Sequence, residues 1–74
     1  MKNIDVNFIN SRGEGYLVIP FEYTGNIQMF INDILQRQKL IKEFSLTEIS
    51  FFVNDVFTKK EKVILEEYFD ILDY

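Results

Sequence analysis

Hydrophobic and polar residues alternate over two stretches near the start of the chain, which is the pattern of strands with one buried face. The two apolar sets are Ile4, Val6 and Phe8, followed by Leu17, Ile19, Phe21 and Tyr23. Turn-forming residues separate the two sets, so the pattern predicts a β-hairpin over residues 3–23. Pairing Ile9 with Tyr16 gathers both sets on one face, and we expect that register. Pro20 lacks an N–H, so it either lies in an edge strand or directs its nitrogen to solvent.

A helical spacing of apolar residues follows and predicts a helix over residues 26–42. Its stripe consists of Ile27, Phe30, Ile31, Ile34 and Ile41. Asn26 stands where its side chain can cap the helix. Met29 and Leu40 lie three turns apart on the opposite side. They are either two scattered surface residues or an apolar patch that faces a partner.

Residues 46–57 fit two patterns. As a strand, Ile49, Phe51 and Val53 alternate with polar residues, but Phe52 breaks the alternation. As a helix, the segment fills every position of the i, i+3, i+4, i+7, i+8 template with Ile49, Phe52, Val53, Val56 and Phe57. Residue propensities favour the strand, whereas the complete stripe favours the helix.

Two capping boxes indicate where helices begin in the second half of the chain. Ser45 with Glu48 forms the first box, and Thr58 with Glu61 forms the second. The first box decides our prediction for residues 46–57, which is a helix, with a strand as the alternative. The second box predicts a final helix over residues 59–72. Its expected buried side consists of Ile64, Leu65, Tyr68, Ile71 and Leu72.

Together these elements predict an α+β fold, in which an N-terminal β-hairpin packs on two or three helices. The 74 residues suffice for a single small domain. Aromatic residues make up 16% of the chain, with eight Phe and four Tyr. That is a large apolar load for so small an interior, and a lone hairpin is only marginally stable. We therefore expect a homodimer, with a dense aromatic core in a monomer as the alternative.

The net charge of −4 disfavours direct binding of nucleic acid, which demands a basic surface. Residues 63–74 contain four acids and no base, namely Glu66, Glu67, Asp70 and Asp73. On the predicted final helix these acids occupy the exposed side near the C-terminus, where they oppose the helix dipole. Either they are a solvated face, or they meet a partner with a basic, nucleic-acid-binding surface. The candidate partner-binding residues are therefore Glu66, Glu67, Asp70 and Asp73, together with Met29 and Leu40.

Several kinds of chemistry are disfavoured by composition. The chain has no Cys and no His, so the usual zinc ligands and nucleophile pairs are missing. The acids are expected on an exposed face rather than in a concave pocket. We predict no enzymatic activity, no catalytic residue, no metal site and no cofactor. The chain has no apolar run of membrane-spanning length and no signal stretch, so a cytoplasmic location is expected.

In length, acidity, lack of Cys and His, and aromatic content, the chain resembles the small proteins that phages of AT-rich Gram-positive bacteria make to disable host machinery. Within that group it is similar in character to inhibitors of the DNA sliding clamp. The resemblance covers overall character, and no motif carries it. Clamp ligands present a Gln-x-x-Leu/Met-Phe-like peptide, and neither Gln28-Met29-Phe30 nor Gln38-Lys39-Leu40-Ile41 fits it.

The resemblance implies a folded acidic surface that binds a host replication protein and blocks its access to DNA or to partners, in the cytoplasm of the host cell. The alternatives are an inhibitor of a bacterial defence nuclease, of the anti-CRISPR or anti-restriction type, and a non-inhibitory structural or regulatory subunit.

Overall fold

The structure is a computed structural model that describes residues 2–9, 16–41, 48–53 and 56–72. The elements in chain order are β1 (Lys2–Ile9), β2 (Tyr16–Tyr23), α1 (Ile27–Leu40), β3 (Glu48–Phe52), α2 (Lys59–Glu66) and β4 (Asp70–Leu72). Within these ranges the four strands form one mixed sheet in the order β2-β1-β3-β4. Over the described residues, the architecture is a small α+β fold with a four-stranded sheet and two α-helices.

The N-terminal hairpin has the predicted register. Strands β1 and β2 pair antiparallel, with Ile9 opposite Tyr16 and Ile4 opposite Phe21. This register places the apolar sets of both strands on one face of the sheet. Strand β2 lies at the edge of the sheet, where the missing N–H of Pro20 is tolerated.

Helix α1 begins at a side-chain cap. The backbone N–H of Met29 donates to the Asn26 side chain over 3.1 Å, as the sequence predicts. Gly25 precedes the cap with a φ of 100°, a conformation that favours glycine. The helix runs from Ile27 to Leu40, whereas the predicted range of 26–42 extends into a residue outside the described ranges. Its buried residues are Phe30, Ile31 and Ile34.

The prediction of a helix over residues 46–57 is wrong. Residues 48–52 form β3, which pairs antiparallel with β1 and parallel with β4. The strand satisfies backbone groups on both sides while Ile49 and Phe51 are buried on one face. This pairing and the β-propensity of Ile and Phe outweigh the helical stripe. The proposed cap at Ser45 lies outside the described residues.

The final helix is shorter than predicted. Helix α2 starts at the capping box of Thr58 and Glu61, as expected, but it ends at Glu66. Residues 70–72 instead form β4 beside β3, and the N–H of Val53 donates to the carbonyl of Leu72 over 3.0 Å. Leu65 is buried as predicted, but Tyr68 and Leu72 are exposed. The parallel pairing with β3 supplies backbone hydrogen bonds that replace those of a longer helix.

The predicted arrangement of a hairpin packed on helices is also wrong, because the hairpin joins a larger sheet that the helices cover. Most of the aromatic residues are buried in one cluster, whose members are Phe8, Phe21, Tyr23, Phe30, Phe51, Phe57 and Phe69. The Phe30 ring lies 5.8 Å from the Phe51 ring and 5.5 Å from the Phe57 ring, centroid to centroid. The aromatic load is thus largely accommodated inside one chain. Neither α1 nor α2, the helices of the described residues, is long and apolar enough to cross a membrane.

Candidate protein-interaction surface

The two faces of the sheet have different surroundings. Successive side chains of a strand point to opposite faces, and the buried residues of β1, β2 and β3 pack with α1 and α2 on one face. We call the other face the open face. Its described residues are Asn3, Asp5, Asn7, Ile9, Val18, Pro20, Glu22, Glu48, Ser50, Phe52, Asp70 and Leu72. Most of them are exposed.

Each strand contributes one carboxylate to the open face. These are Asp5 of β1, Glu22 of β2, Glu48 of β3 and Asp70 of β4, and all four are exposed. No Lys or Arg lies at an open-face position of the described strands. The side chains of these four acids make no hydrogen bond or ion pair with another described residue. The open face therefore carries a field of one sign.

Apolar side chains lie among these carboxylates. Val18 and Phe52 are each 43% exposed and Leu72 is 39% exposed. Phe52 and Leu72 stand directly opposite each other on β3 and β4. Ser50, which is buried, lies between Asn7 and Asp70 in the same row of the sheet. Exposed apolar groups surrounded by charge are a feature of protein interfaces.

Two of the carboxylates border a groove at the rim of the sheet, where the open face meets the helix-covered side, because α1 also lines this groove. Its volume is about 300 Å³, and its lining residues are Leu35, Gln38, Glu48, Ile49, Tyr68, Phe69 and Asp70. Asp70 pairs with Ser50, and Glu48 lies two residues before Ser50, so the two acids are diagonal neighbours. Tyr68, half exposed, adds an aromatic wall. A Lys or Arg side chain suits such a groove, because its stem is apolar and its head is cationic.

The predicted acidic face on a single helix is not what the structure contains. Glu66 lies in the last turn of α2, Glu67 is its C-cap residue and Asp70 belongs to β4. Asp73 lies outside the described residues. Of the three acids that the structure describes, only Asp70 is on the open face, and it belongs to a strand rather than to the predicted helix end.

Three of the four open-face acids, Asp5, Glu22 and Glu48, were not among the predicted partner-binding residues. Asp5 and Glu22 occupy the polar positions of the predicted hairpin, so the alternation already marked them as a shared outer face. Glu48 was assigned to a capping box, and its place on the sheet requires knowledge that residues 48–52 form a strand.

Met29 and Leu40 lie on a different surface. They are 46% and 78% exposed, on the side of α1 that points away from the sheet. Their exposure agrees with the prediction, and their part in binding stays a prediction.

A hydrogen bond away from the open face ties the end of β2 to α2. The Tyr23 hydroxyl donates to one carboxylate oxygen of Glu61. The other oxygen accepts from the backbone N–H of Thr58 over 2.7 Å. Burial raises the pKa of Tyr23 to about 12, with a further contribution from the Glu61 carboxylate. Burial also tends to raise the pKa of Glu61, but the hydrogen bonds from Thr58 and Tyr23 outweigh it and leave that pKa below its usual value.

Known proteins give no further guidance, since no family model, no curated protein and no solved structure matches the chain. In the part of the chain that the structure describes, no three acidic residues come together as a potential metal site. The open face is thus the best-supported candidate for an interaction surface.

Proposed function

We propose that this protein is a small protein-binding inhibitor, which docks its open face on the basic, nucleic-acid-binding surface of another protein. The observation that carries the proposal is the placement of one carboxylate on every strand of a face without a cation at any described position. Each acid is exposed and has no partner among the described residues, so it is available to a positive surface.

The groove beside Glu48 and Asp70 supplies an anchor for this contact. A Lys or Arg of the partner would lay its stem against Tyr68 and place its head between the two carboxylates. Phe52 and Leu72 lie on the neighbouring rows of the same strands and would exclude water around the charged contacts. The partner would no longer bind nucleic acid, because the carboxylates would occupy the basic groups of the partner that otherwise bind phosphates.

The host partner that we propose is the DNA sliding clamp, in keeping with the resemblance to phage inhibitors of Gram-positive hosts. The clamp surface that faces DNA is positively charged, which complements the negative charge of the open face. The protein would block the access of DNA or of other clamp ligands and would act in the host cytoplasm. The chain would have no catalytic role.

Calorimetry with a purified sliding clamp from a Gram-positive bacterium tests this proposal. The first variant reverses Glu48 and Asp70 to Lys, and the matched control reverses Glu66 and Glu67 to Lys. Both change the net charge equally, and all four sites are exposed. We expect the Glu48/Asp70 variant to bind at least about tenfold more weakly, while the control retains most of the parent affinity. Parent binding should also weaken as salt is raised from about 50 to about 300 mM.

The possible outcomes distinguish an error in the proposed binding surface from an error in the proposed partner. Equal loss in both variants would mean that net charge alone drives binding, and a loss confined to the control would favour the acids at the end of α2. If the parent does not bind the clamp, the named partner is wrong. Capture from a bacterial lysate with the parent and the Glu48/Asp70 variant side by side would then identify proteins that require the open face.

A second candidate function is that of a subunit whose open face is covered by a cognate partner through apolar contacts. The exposure of Val18, Phe52 and Leu72 favours it. Salt distinguishes the two functions, because an apolar interface responds little to ionic strength whereas an acidic inhibitor dissociates.

A further inference from the structure

The outer side of α1 carries a second surface that the proposed function does not use. Five exposed residues fall within one stripe along the helix, because their spacing follows 3.6 residues per turn. We call them the outer stripe, and they are Met29, Asp33, Gln36, Arg37 and Leu40. All of these residues except Met29 line a groove of about 480 Å³, to which Phe21 of β2 also contributes.

The outer stripe combines exposed apolar residues with charges of both signs. Met29 and Leu40 lie near its two ends, and Leu40 is 78% exposed. Asp33 and Arg37 stand one turn apart between them. Although that spacing permits an ion pair, neither residue has one with the described part of the chain. Both charges are available to a partner.

The order of these residues is symmetric. The midpoint between Met29 and Leu40 falls between residues 34 and 35, and the midpoint between Asp33 and Arg37 falls at residue 35. If two copies of α1 cross antiparallel at that point, Met29 meets Leu40 of the second copy, and Asp33 meets Arg37 of the second copy. Both kinds of contact occur twice, as a two-fold interface requires.

We propose that the outer stripe is the interface of a two-fold dimer, in which the α1 helices of two copies pack antiparallel about residue 35. The apolar and the charged midpoints fall within half a residue of each other, which supports a second copy as the occupant, since an unrelated partner would not need this symmetry. The homodimer that the sequence analysis predicted would thus have the outer stripe as its interface.

Other routes to a homodimer are less favourable. Two open faces would oppose four carboxylates on each side with no described cation, so they repel each other. The edge strand β2 contains Pro20, which cannot donate to a neighbouring strand. The other edge strand, β4, has only three residues. Of the surfaces considered, the outer stripe is the one whose side chains complement the same surface of a second copy.

Since a single helix pair gives a small interface, we expect a weak dimer that dissociates on dilution. The open face lies on the opposite side of the sheet from α1, so both open faces remain accessible in the dimer. Such a dimer presents two acidic surfaces, and on the proposed function it would bind two sites of one assembly at once.

Sedimentation velocity from about 1 µM to about 1 mM tests the interface. The parent should shift from a mass of 8.9 kDa to twice that mass. Asp33→Lys and Arg37→Asp should each weaken the dimer at least about tenfold, because each brings like charges together. An equimolar mixture of the two variants should recover the dimer, since each Lys or Arg then faces an Asp of the other chain.

Leu40→Asp provides a test of the apolar contact, and Val63→Asp on α2 is its control. Both sites are exposed apolar positions of a helix, at 78% and 60%, so the fold should tolerate both changes. We expect only Leu40→Asp to weaken the dimer. A parent that keeps a mass of 8.9 kDa throughout the series would overturn the proposal. So would single variants that dimerise like the parent, or a mixture that does not recover the dimer.

Discussion

Phe51 and Phe52 are neighbours in β3, yet they belong to the two faces of the sheet. Phe51 is fully buried against the rings of Phe30 and Phe69, whereas Phe52 is 43% exposed on the open face. Two residues of the same type, joined by one peptide bond, thus serve different purposes. The helix-covered face forms the hydrophobic core, and the open face leaves Phe52 exposed.

The largest difference between the faces should appear when each ring is removed. Phe51→Ala leaves a cavity in the core and should lower the free energy of unfolding by about 3–5 kcal/mol. Phe52→Ala removes a half-exposed ring and should cost less than about 1 kcal/mol. Urea denaturation followed by circular dichroism measures both. Similar costs for the two variants would mean that the faces are equally buried.

The hydrogen bond from Tyr23 to Glu61 sharpens the comparison, because it fixes a carboxylate on the helix-covered side. Tyr23→Phe keeps the ring and removes this bond to a charged group, so it should cost about 1.5–3 kcal/mol. Denaturation of the variant and the parent at pH 7 gives the difference. A cost near zero would show that the bond does not stabilise the link between β2 and α2.

The same bond predicts how stability depends on pH. The pKa of Tyr23 is raised to about 12 in the folded state. Its contribution is therefore complete below pH 10 and is lost as the pH rises through 12, since the unfolded state releases the proton first. The pKa of Glu61 is lowered, so its contribution is present at neutral pH and is lost in acid as the pH falls through the folded-state pKa. The stability gap between the parent and Tyr23→Phe should narrow at both extremes.

The smallest effect should come from the charges of the open face. Asp70→Asn removes one of four like charges at an exposed position without a described partner. The free energy of unfolding should rise by no more than about 0.5 kcal/mol, because exposed charges are screened by solvent. A loss of 1 kcal/mol or more, well above that range, would mean that Asp70 has a structural role instead.

The parts of the fold that the sequence predicted are those governed by local signals. The alternation in the hairpin determined its register, and the side chains of Asn26 and Thr58 marked the starts of α1 and α2. These features depend on residues that are close in the chain, so periodicity and capping suffice to find them.

The rest of the fold depends on contacts between distant segments. Residues 48–52 satisfied both a helical and a strand pattern, and their pairing with β1 and β4 decided the outcome. Phe69 was not assigned to the core, because the assumed helix continued past it. Once β3 and β4 are recognised as strands, Glu48 and Asp70 fall beside each other. The residues of the open face could not be predicted for the same reason that the fold was predicted incorrectly, namely that β3 and β4 were not recognised as strands.

The pairing of Phe8 with Ile49 has a consequence for how the chain folds. Strands β1 and β2 form one half of the sheet from contacts that are local in sequence, whereas β3 and β4 form the other half by a parallel pairing across α2. The β1–β3 pair is the seam that joins the halves, and its closure costs the entropy of the intervening chain. Folding should be as slow as that closure, although each half contains short-range structure that forms quickly. We therefore expect the folding rate to be set at the centre of the sheet rather than in either helix.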